Sequence, residues 1–217
     1  MSWISRARWL MLLLCLSVLT ASCARRRMTE PLNIRVLVSD FKVADQIEQA
    51  PKENKGWWFS SRDIYRNPNN GDIFADILSE QMNKTLSAVD IYSRTDFKFY
   101  EASKKTKLQE AYPDLSDEEI DTLFSEISPV DFARDLQLDK VIAGKIEQSY
   151  TTHNRAFHWW SSKIKAQIKV LDAESGNVEW ESEVEERRFF RSQYATMEKA
   201  AKILTKRFKK NYLYRRE

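Results

Sequence analysis

Of the residues able to do chemistry, Cys23 has the most telling neighbours. Thr20, Ala21 and Ser22 stand directly before it, and an apolar run from Trp9 to Leu19 follows a basic start at Arg6 and Arg8. That order is an export signal with a small-residue cleavage site. Cleavage before Cys23 makes it the diacylated N-terminus of a lipid-anchored chain, as in bacterial lipoproteins. The run is too short to span about 30 Å of hydrocarbon, which takes roughly 20 apolar residues. Two other readings use the same residues: an ordinary cleaved signal that leaves Cys23 as a free thiol, and an uncleaved N-terminal anchor.

Other chemistry lacks partners. The two histidines, His153 and His158, are five apart, whereas residues on one helix face are three or four apart. They read as a surface-loop pair rather than as zinc ligands, which need two or three well-spaced companions. Cys15 leaves with the signal and Cys23 is used by the lipid, so neither a Cys-His dyad nor an intrachain disulfide is expected. Gly56, Gly71, Gly144 and Gly176 are dispersed and make no phosphate cradle. Asp117, Glu118 and Glu119 suit a helix N-terminus. Glu179, Glu181, Glu183, Glu185 and Glu186 follow strand alternation, and nothing sets two of them apart as a glycosidase pair. The chain is expected not to be an enzyme, with no catalytic residue, metal or cofactor.

The aromatic clusters are better candidates for contact. Trp57, Trp58 and Phe59 form one, and Phe157, His158, Trp159 and Trp160 the other. Adjacent residues of an extended segment point to opposite sides, so at least one of each pair is exposed or meets a neighbour. Exposed tryptophan suits a protein interface, a glycan platform or the lipid headgroup layer. The alternative is that the two clusters pack on one another over the sheet.

Composition narrows the partners. Removing residues 1 to 22 lowers the basic count from 35 to 33 against 32 acids and leaves 195 of the 217 residues. A nearly neutral chain carries no argument for nucleic acid, which needs a clustered basic face. Its length suffices for one core. The expected organisation is a signal over 1–22, a lipidated Cys23 with a tether over 23–31, and one periplasmic domain over 32–217. The arginines at 25, 26 and 27 stand either against anionic headgroups or in a solvated linker.

The elements follow from periodicity. Leu32 to Phe41 reads as a strand, with Ile34, Val36 and Val38 on one face and Leu37 on the other. Residues 42 to 70 read as a long polar loop ending in the turn Asn67-Pro68-Asn69-Asn70-Gly71. A helix is expected from Asp72 to about Ser87, then a short strand from Ile91 to Ser93. Helices follow over Phe97–Tyr112, from the capping box of Ser116 and Glu119 to Phe124, and from Ser128 with Pro129 in its first turn. Val130, Ala133, Leu136 and Leu138 point that last helix into a core. Val141 to Ser149 returns to strand. Ile164, Ala166, Ile168 and Val170 alternate with Lys163, Lys165, Gln167 and Lys169, and an Asp172–Asn177 turn leads back through Val178, Trp180, Ser182 and Val184 as an antiparallel hairpin. A final helix spans about Ser192 to Tyr212, with Tyr194, Met197, Ala201, Leu204 and Phe208 as its apolar stripe. The fold class is α/β: a mixed sheet with a C-terminal antiparallel hairpin, flanked by helices.

This order resembles the periplasmic lipoprotein group of the curli channel, the penicillin-binding-protein activator and the Pel-polysaccharide lipoprotein (CsgG, LpoB and PelC), and is similar to the N-terminal domain of TolB. The resemblance is carried by "DIFADILSEQMNKTLS", "DFARDLQLDKVIAGKI" and "KIKAQIKVLDAESGNVEWESEVE". The group's Asp-hydrophobic-hydrophobic-x-Gly strand and Asp-x-x-x-Gly turn fall on Asp139, Val141, Ile142, Gly144, Asp172 and Gly176. It implies an assembly or export factor for an envelope component, either a polysaccharide or a secreted protein. A homo-oligomeric ring is a corollary. Ala24 after the cysteine implies, by enterobacterial sorting, the periplasmic face of the outer membrane. A curli-type pore is not expected, because residues 42 to 70 lack the 9 to 11 alternating residues of a membrane strand. The alternative implied function, an activator of a peptidoglycan synthase, asks for a long reach after Cys23, where only about eight residues stand.

Cys23→Ser is expected to abolish incorporation of radiolabelled fatty acid and membrane retention, while the domain still folds. Unchanged pelleting of the variant with membranes would refute the acylation.

Overall fold

The computed structural model describes residues 34–44, 62–154 and 158–214. Strand β1, Ile34–Val43, is buried on both faces, as a central parallel strand must be. Ile34, Val36 and Val38 enter one core cluster and Leu37 the other. A four-residue strand, β2 (Arg62–Tyr65), follows, then helix α1 (Asn70–Thr85) and strand β3 (Val89–Ile91). Helices α2 (Arg94–Ala111), α3 (Asp117–Glu126) and α4 (Pro129–Asp135) precede strands β4 (Lys140–Asn154), β5 (Trp159–Asp172) and β6 (Val178–Phe189). Helix α5 (Gln193–Phe208) and a π-turn (Lys209–Leu213) close the described chain.

The sheet order is β3-β1-β4-β5-β6, with β2 pairing the far half of β4. β3, β1 and β4 are parallel, while β5, β6 and β2 run antiparallel to their neighbours. α1 and α5 cover one face, where Phe74, Leu78, Met82, Met197, Leu204 and Phe208 meet Ile142, Ile146, Ile164, Ile168 and Val170. α2, α3 and α4 lie on the other, around Leu37, Phe97, Phe132, Leu138 and Val141. The expected α/β class and mixed sheet are therefore present. So are the Ser116–Glu119 capping box and Pro129 in the first turn of α4.

The positions that carried the resemblance have mechanical reasons. Asp139 accepts from the Arg35 backbone N–H at 2.7 Å, tying the start of β4 to β1. Asp172 accepts from the Ser175 backbone N–H and hydroxyl and from Lys140 Nζ, and Gly176 follows with φ of 74°, where a side chain is disfavoured. Gly144 lies under the Phe41 ring, where an added Cβ would stand 2.1 Å from the ring carbon. Its bareness lets Phe41 lie across β4 and pack edge-on against Phe74, with centroids 5.1 Å apart.

Several expectations need correction. Residues 62–65 form β2 inside the stretch read as loop. β4 runs to Asn154, past the Ser149 at which the strand was expected to end, and pairs with β5 as far as Asn154 opposite Trp159, so residues 150–154 and 159–162 are hairpin too. Trp159 and Trp160 open β5. The extension escapes an alternation search because its buried positions are polar: Ser149, Thr152, Ser161 and Ser162 lie inside. Their hydroxyls are paired, Thr152 with Ser161 at 3.0 Å and Thr151 with Ser162 at 2.9 Å, which offsets the cost of burying them. Tyr194 is exposed; the stripe of α5 begins at Met197. Val178 is exposed as well, at the open start of β6.

Val170 is fully buried, and Lys169 on the opposite face lies beside Glu181. Val170→Asp is expected to unfold the domain, because an unpaired buried charge costs several kcal/mol, comparable with a whole domain's stability. Lys169→Asp is expected to melt within a few degrees of wild type. Equal melting temperatures would refute this register.

Candidate functional site

Two places answer to the rules by which such folds build sites. The first is the crevice at the carboxyl ends of the parallel strands, where successive crossovers leave for opposite faces and α/β proteins bind ligands. Here it is filled by the protein itself. Arg94 opens α2 directly after β3, is 8% exposed, and donates to Val38 O at 3.0 Å, Asp76 Oδ1 at 3.0 Å, Asp72 Oδ1 at 2.7 Å and Asp40 Oδ1. Lys98, one turn on, donates to Asp72 Oδ2. A groove of about 490 Å³ beside them is lined by Asp76, Ser79, Asn83, Ser93, Arg94 and Lys98 among others, and Arg94 is already spent on three aspartates.

The electrostatics of this cluster follow from its crowding. Burial pushes the Asp72 carboxyl up, but the hydrogen bond and charge of Lys98 and the charge of Arg94 outweigh it and hold the group below the usual range. Burial opposes the Arg94 charge, and Asp40 and Asp76 more than restore it. Glu101, on α2 two turns after Arg94, is pushed up to about 7 by burial and by the Asp40 charge, against Arg94 and Lys98.

The second place is the end of the sheet beyond the helices. Trp159 and Trp160 start β5 and Phe189 ends β6, with Phe190 next in the chain. Trp159 meets Phe189 at a tilt with centroids 5.6 Å apart, and Trp160 meets Phe190 edge-on at 5.4 Å. Ser161 pairs with Phe189 across the strands, so Trp159 and Phe189 share the face of Lys163 and Lys165. Trp160 lies on the other face, with Ile164. Trp160, Phe189 and Phe190 are 40%, 51% and 59% exposed, and Tyr65 of β2 is exposed too. Arg187 lies over the Phe189 ring at 5.1 Å and donates to Ser161 Oγ at 3.3 Å.

Two residues here hold left-handed backbone without being glycine, His158 at φ 51° and Phe190 at φ 54°. Such residues cost free energy and gather at functional places. The Phe190 N–H donates to Trp160 O at 3.0 Å and fixes the bend.

Of the expected contact residues, Trp159 and Trp160 therefore stand together at this end. Phe157, Trp57, Trp58, Phe59 and Cys23 lie outside the described residues. His153 sits on β4 opposite Trp160 and His158 in the turn, and among the described residues no three His, Cys, Asp or Glu could hold a metal. Glu179, Glu181, Glu183 and Glu185 of β6 lie beside lysines: Lys163 meets Glu185 at 2.7 Å, and Lys165 bridges Glu183 at 3.0 Å and Glu147 of β4 at 2.7 Å. Those bonds hold Lys165 well above the ordinary lysine range. The sequence reading missed Phe189, Phe190 and Arg187. Their signal was present as the break from alternating glutamates into Arg187-Arg188-Phe189-Phe190-Arg191. It also missed Arg94, which has no local pattern.

No protein-family model and no curated protein matches the chain. Among solved structures it is similar to the PelC dodecamer from Paraburkholderia phytofirmans, at 9% identity over 79% of this chain and 85% of that one, with a TM-score of 0.45. It is also similar to lipoprotein GNA1162 from Neisseria meningitidis, at 9% identity over 82% and 99% of the two chains, TM-score 0.46. A third is the LpoB C-terminal domain from Salmonella enterica, at 10% identity over 71% and 83%, TM-score 0.36. The lipoprotein group that the sequence resembles is thus represented, and at these values the likenesses decide nothing about function.

A carboxyl group with a raised folded pKa binds its proton more tightly in the folded than in the unfolded chain, so its contribution to stability is lost as pH rises through the folded value. Glu101 lies in that position, between its unfolded value near 4.5 and about 7. Glu101→Gln is expected to melt higher than wild type at pH 8, with the difference gone by about pH 4. A constant difference across that range, read by calorimetry, would contradict the assignment.

Proposed function

We propose that this chain is a lipid-anchored envelope protein of the periplasmic face of the outer membrane. It works by contact rather than catalysis in the assembly or export of an envelope component, a polysaccharide or a secreted protein. The single observation that carries the reading is the exposed aromatic end of the β4-β5-β6 hairpins, set apart from the helices and held by left-handed residues. Three further features support it. The switch-point crevice is occupied by Arg94 and its aspartates, four β6 carboxylates lie beside lysines, and Cys23 sits behind an export signal. No described helix is long and apolar enough to cross a membrane. Residues 32–217 act as one unit on a short tether, and copies assemble through the same exposed end or beside it.

The test is Trp159→Ala combined with Trp160→Ala. Aromatic anchors at interfaces often contribute about 2 kcal/mol or more each, so crosslinked partners in the envelope are expected to fall at least tenfold. The melting temperature is expected to drop by only a few degrees, because both rings lie beyond the main core cluster. A variant that melts far below wild type yet keeps its crosslinks and its size by light scattering would make these residues core and overturn the reading.

A further inference from the structure

We infer that the aromatic end of the sheet is a second membrane contact, which seats in the headgroup layer of an anionic bilayer alongside the lipid on Cys23. The proposal rests on the reading of the sheet end as a contact site and names what it touches.

Charge is the first argument. β6 changes sign along its length, from Glu179, Glu181, Glu183, Glu185 and Glu186 to Arg187, Arg188 and Arg191. The change falls where the aromatics begin. The glutamates Glu183 and Glu185 are paired with Lys165 and Lys163. Among the described residues, by contrast, none of Arg187, Arg188 and Arg191 has a carboxylate within ion-pair distance. Arg187 is held on Ser161 and the Phe189 ring instead. The end of the sheet is therefore cationic as well as aromatic, and its partner is anionic.

Shape is the second. Trp159 and Phe189 are on one face of the sheet and Trp160 and Phe190 on the other, so the four rings do not converge on one ligand. A glycan platform or peptide groove needs its rings on a common side. A planar headgroup layer accommodates both faces of a projecting edge at once. Tryptophan settles at that level with its ring half in hydrocarbon, and arginine keeps its stem in the apolar layer and its guanidinium on phosphate.

The chain before the structure sets the geometry. Cys23 lies 11 residues before Ile34, a reach of about 35–40 Å when extended. Ile34 stands at the opposite end of the sheet from the aromatics, which the 15 residues of β4 separate by about 45 Å at 3.3 Å per residue. Anchor and aromatic end therefore meet the same leaflet with the sheet inclined to the membrane rather than upright.

The mature chain carrying Cys23→Ser, in which no acyl group contributes, is mixed with vesicles of phosphatidylcholine alone or of phosphatidylcholine and phosphatidylglycerol in equal parts. Co-sedimentation with the mixed vesicles is expected, weakened by salt and accompanied by a blue shift of tryptophan emission. Each arginine near an anionic surface contributes about fivefold in partitioning, so Arg187→Gln with Arg191→Gln is expected to lower binding about thirtyfold, with the melting temperature within a few degrees of wild type. Lys202→Gln, on α5, is expected to bind as wild type. Failure to bind the mixed vesicles overturns the inference, as does binding indifferent to the two arginines. Tighter, arginine-dependent binding to soluble alginate or polyglutamate than to vesicles overturns it in favour of an anionic polymer. If vesicle binding fails while envelope crosslinks still depend on Trp159 and Trp160, the contact function stands and the membrane assignment alone falls.

Discussion

Strand β4 carries the architecture, because it pairs at once with β1 on one side, β5 on the other and β2 along its far half. Its two halves meet different surroundings. Val141, Ile142 and Ile146 are buried in apolar core, whereas Ser149, Thr152 and Asn154 are buried as polar groups. A polar interior is tolerable only where its groups are bonded. Ser149 Oγ accepts from Asn70 and from Gln193, each at 2.8 Å, which also pins the starts of α1 and α5. The hydroxyl seam thus lets the sheet outrun its helices and still stay ordered, and the aromatic end exists because of it.

Arg94 has the complementary effect at the switch point. A buried guanidinium with three carboxylates gains little net stability against the cost of drying them, yet losing one partner would be expensive. Its effect is to lock β1, α1 and α2 together in the crevice that related architectures leave open for ligands. The place where a nucleotide or small substrate would go is thereby structural, and the molecule's accessible chemistry moves to the opposite property, a surface that touches.

Much of this was legible in the residues. β5 announced itself because one face is apolar and the alternation is strict, and β1 because Val36, Leu37 and Val38 make a short apolar run. The capped helices did so because Ser116 and Ser128 satisfy backbone donors by local bonds that sequence spacing records. What stayed hidden is what depends on partners far along the chain. β2 is four residues whose ladder is supplied by Thr151 to Asn154, and the polar half of β4 has no hydrophobic period. Arg94 acquires its role only when Asp40 arrives on β1 and Asp72 and Asp76 on α1. The aromatic end was half visible: Trp159 and Trp160 were marked, while Phe189 and Phe190 join them only once β6 is paired.

The lysine and glutamate ladder across β5 and β6 has a bearing on how the hairpin finds its alignment. In the native pairing Lys165 faces Glu185 and Lys169 faces Glu181, while Lys163 faces Arg187 and Gln167 faces Glu183; Lys163 and Lys165 reach Glu185 and Glu183 diagonally. Sliding β6 by two residues would again set lysines against glutamates, Lys163 against Glu185 and Lys165 against Glu183, so coulombic attraction alone does not select the native alignment. The choice falls to the tight Asp172–Asn177 turn and to Val184 and Trp180, which must meet Ala166 and Val170. A reversal of a few residues at one pole of the sheet thereby decides, at the other, whether the Phe190 amide reaches the Trp160 carbonyl.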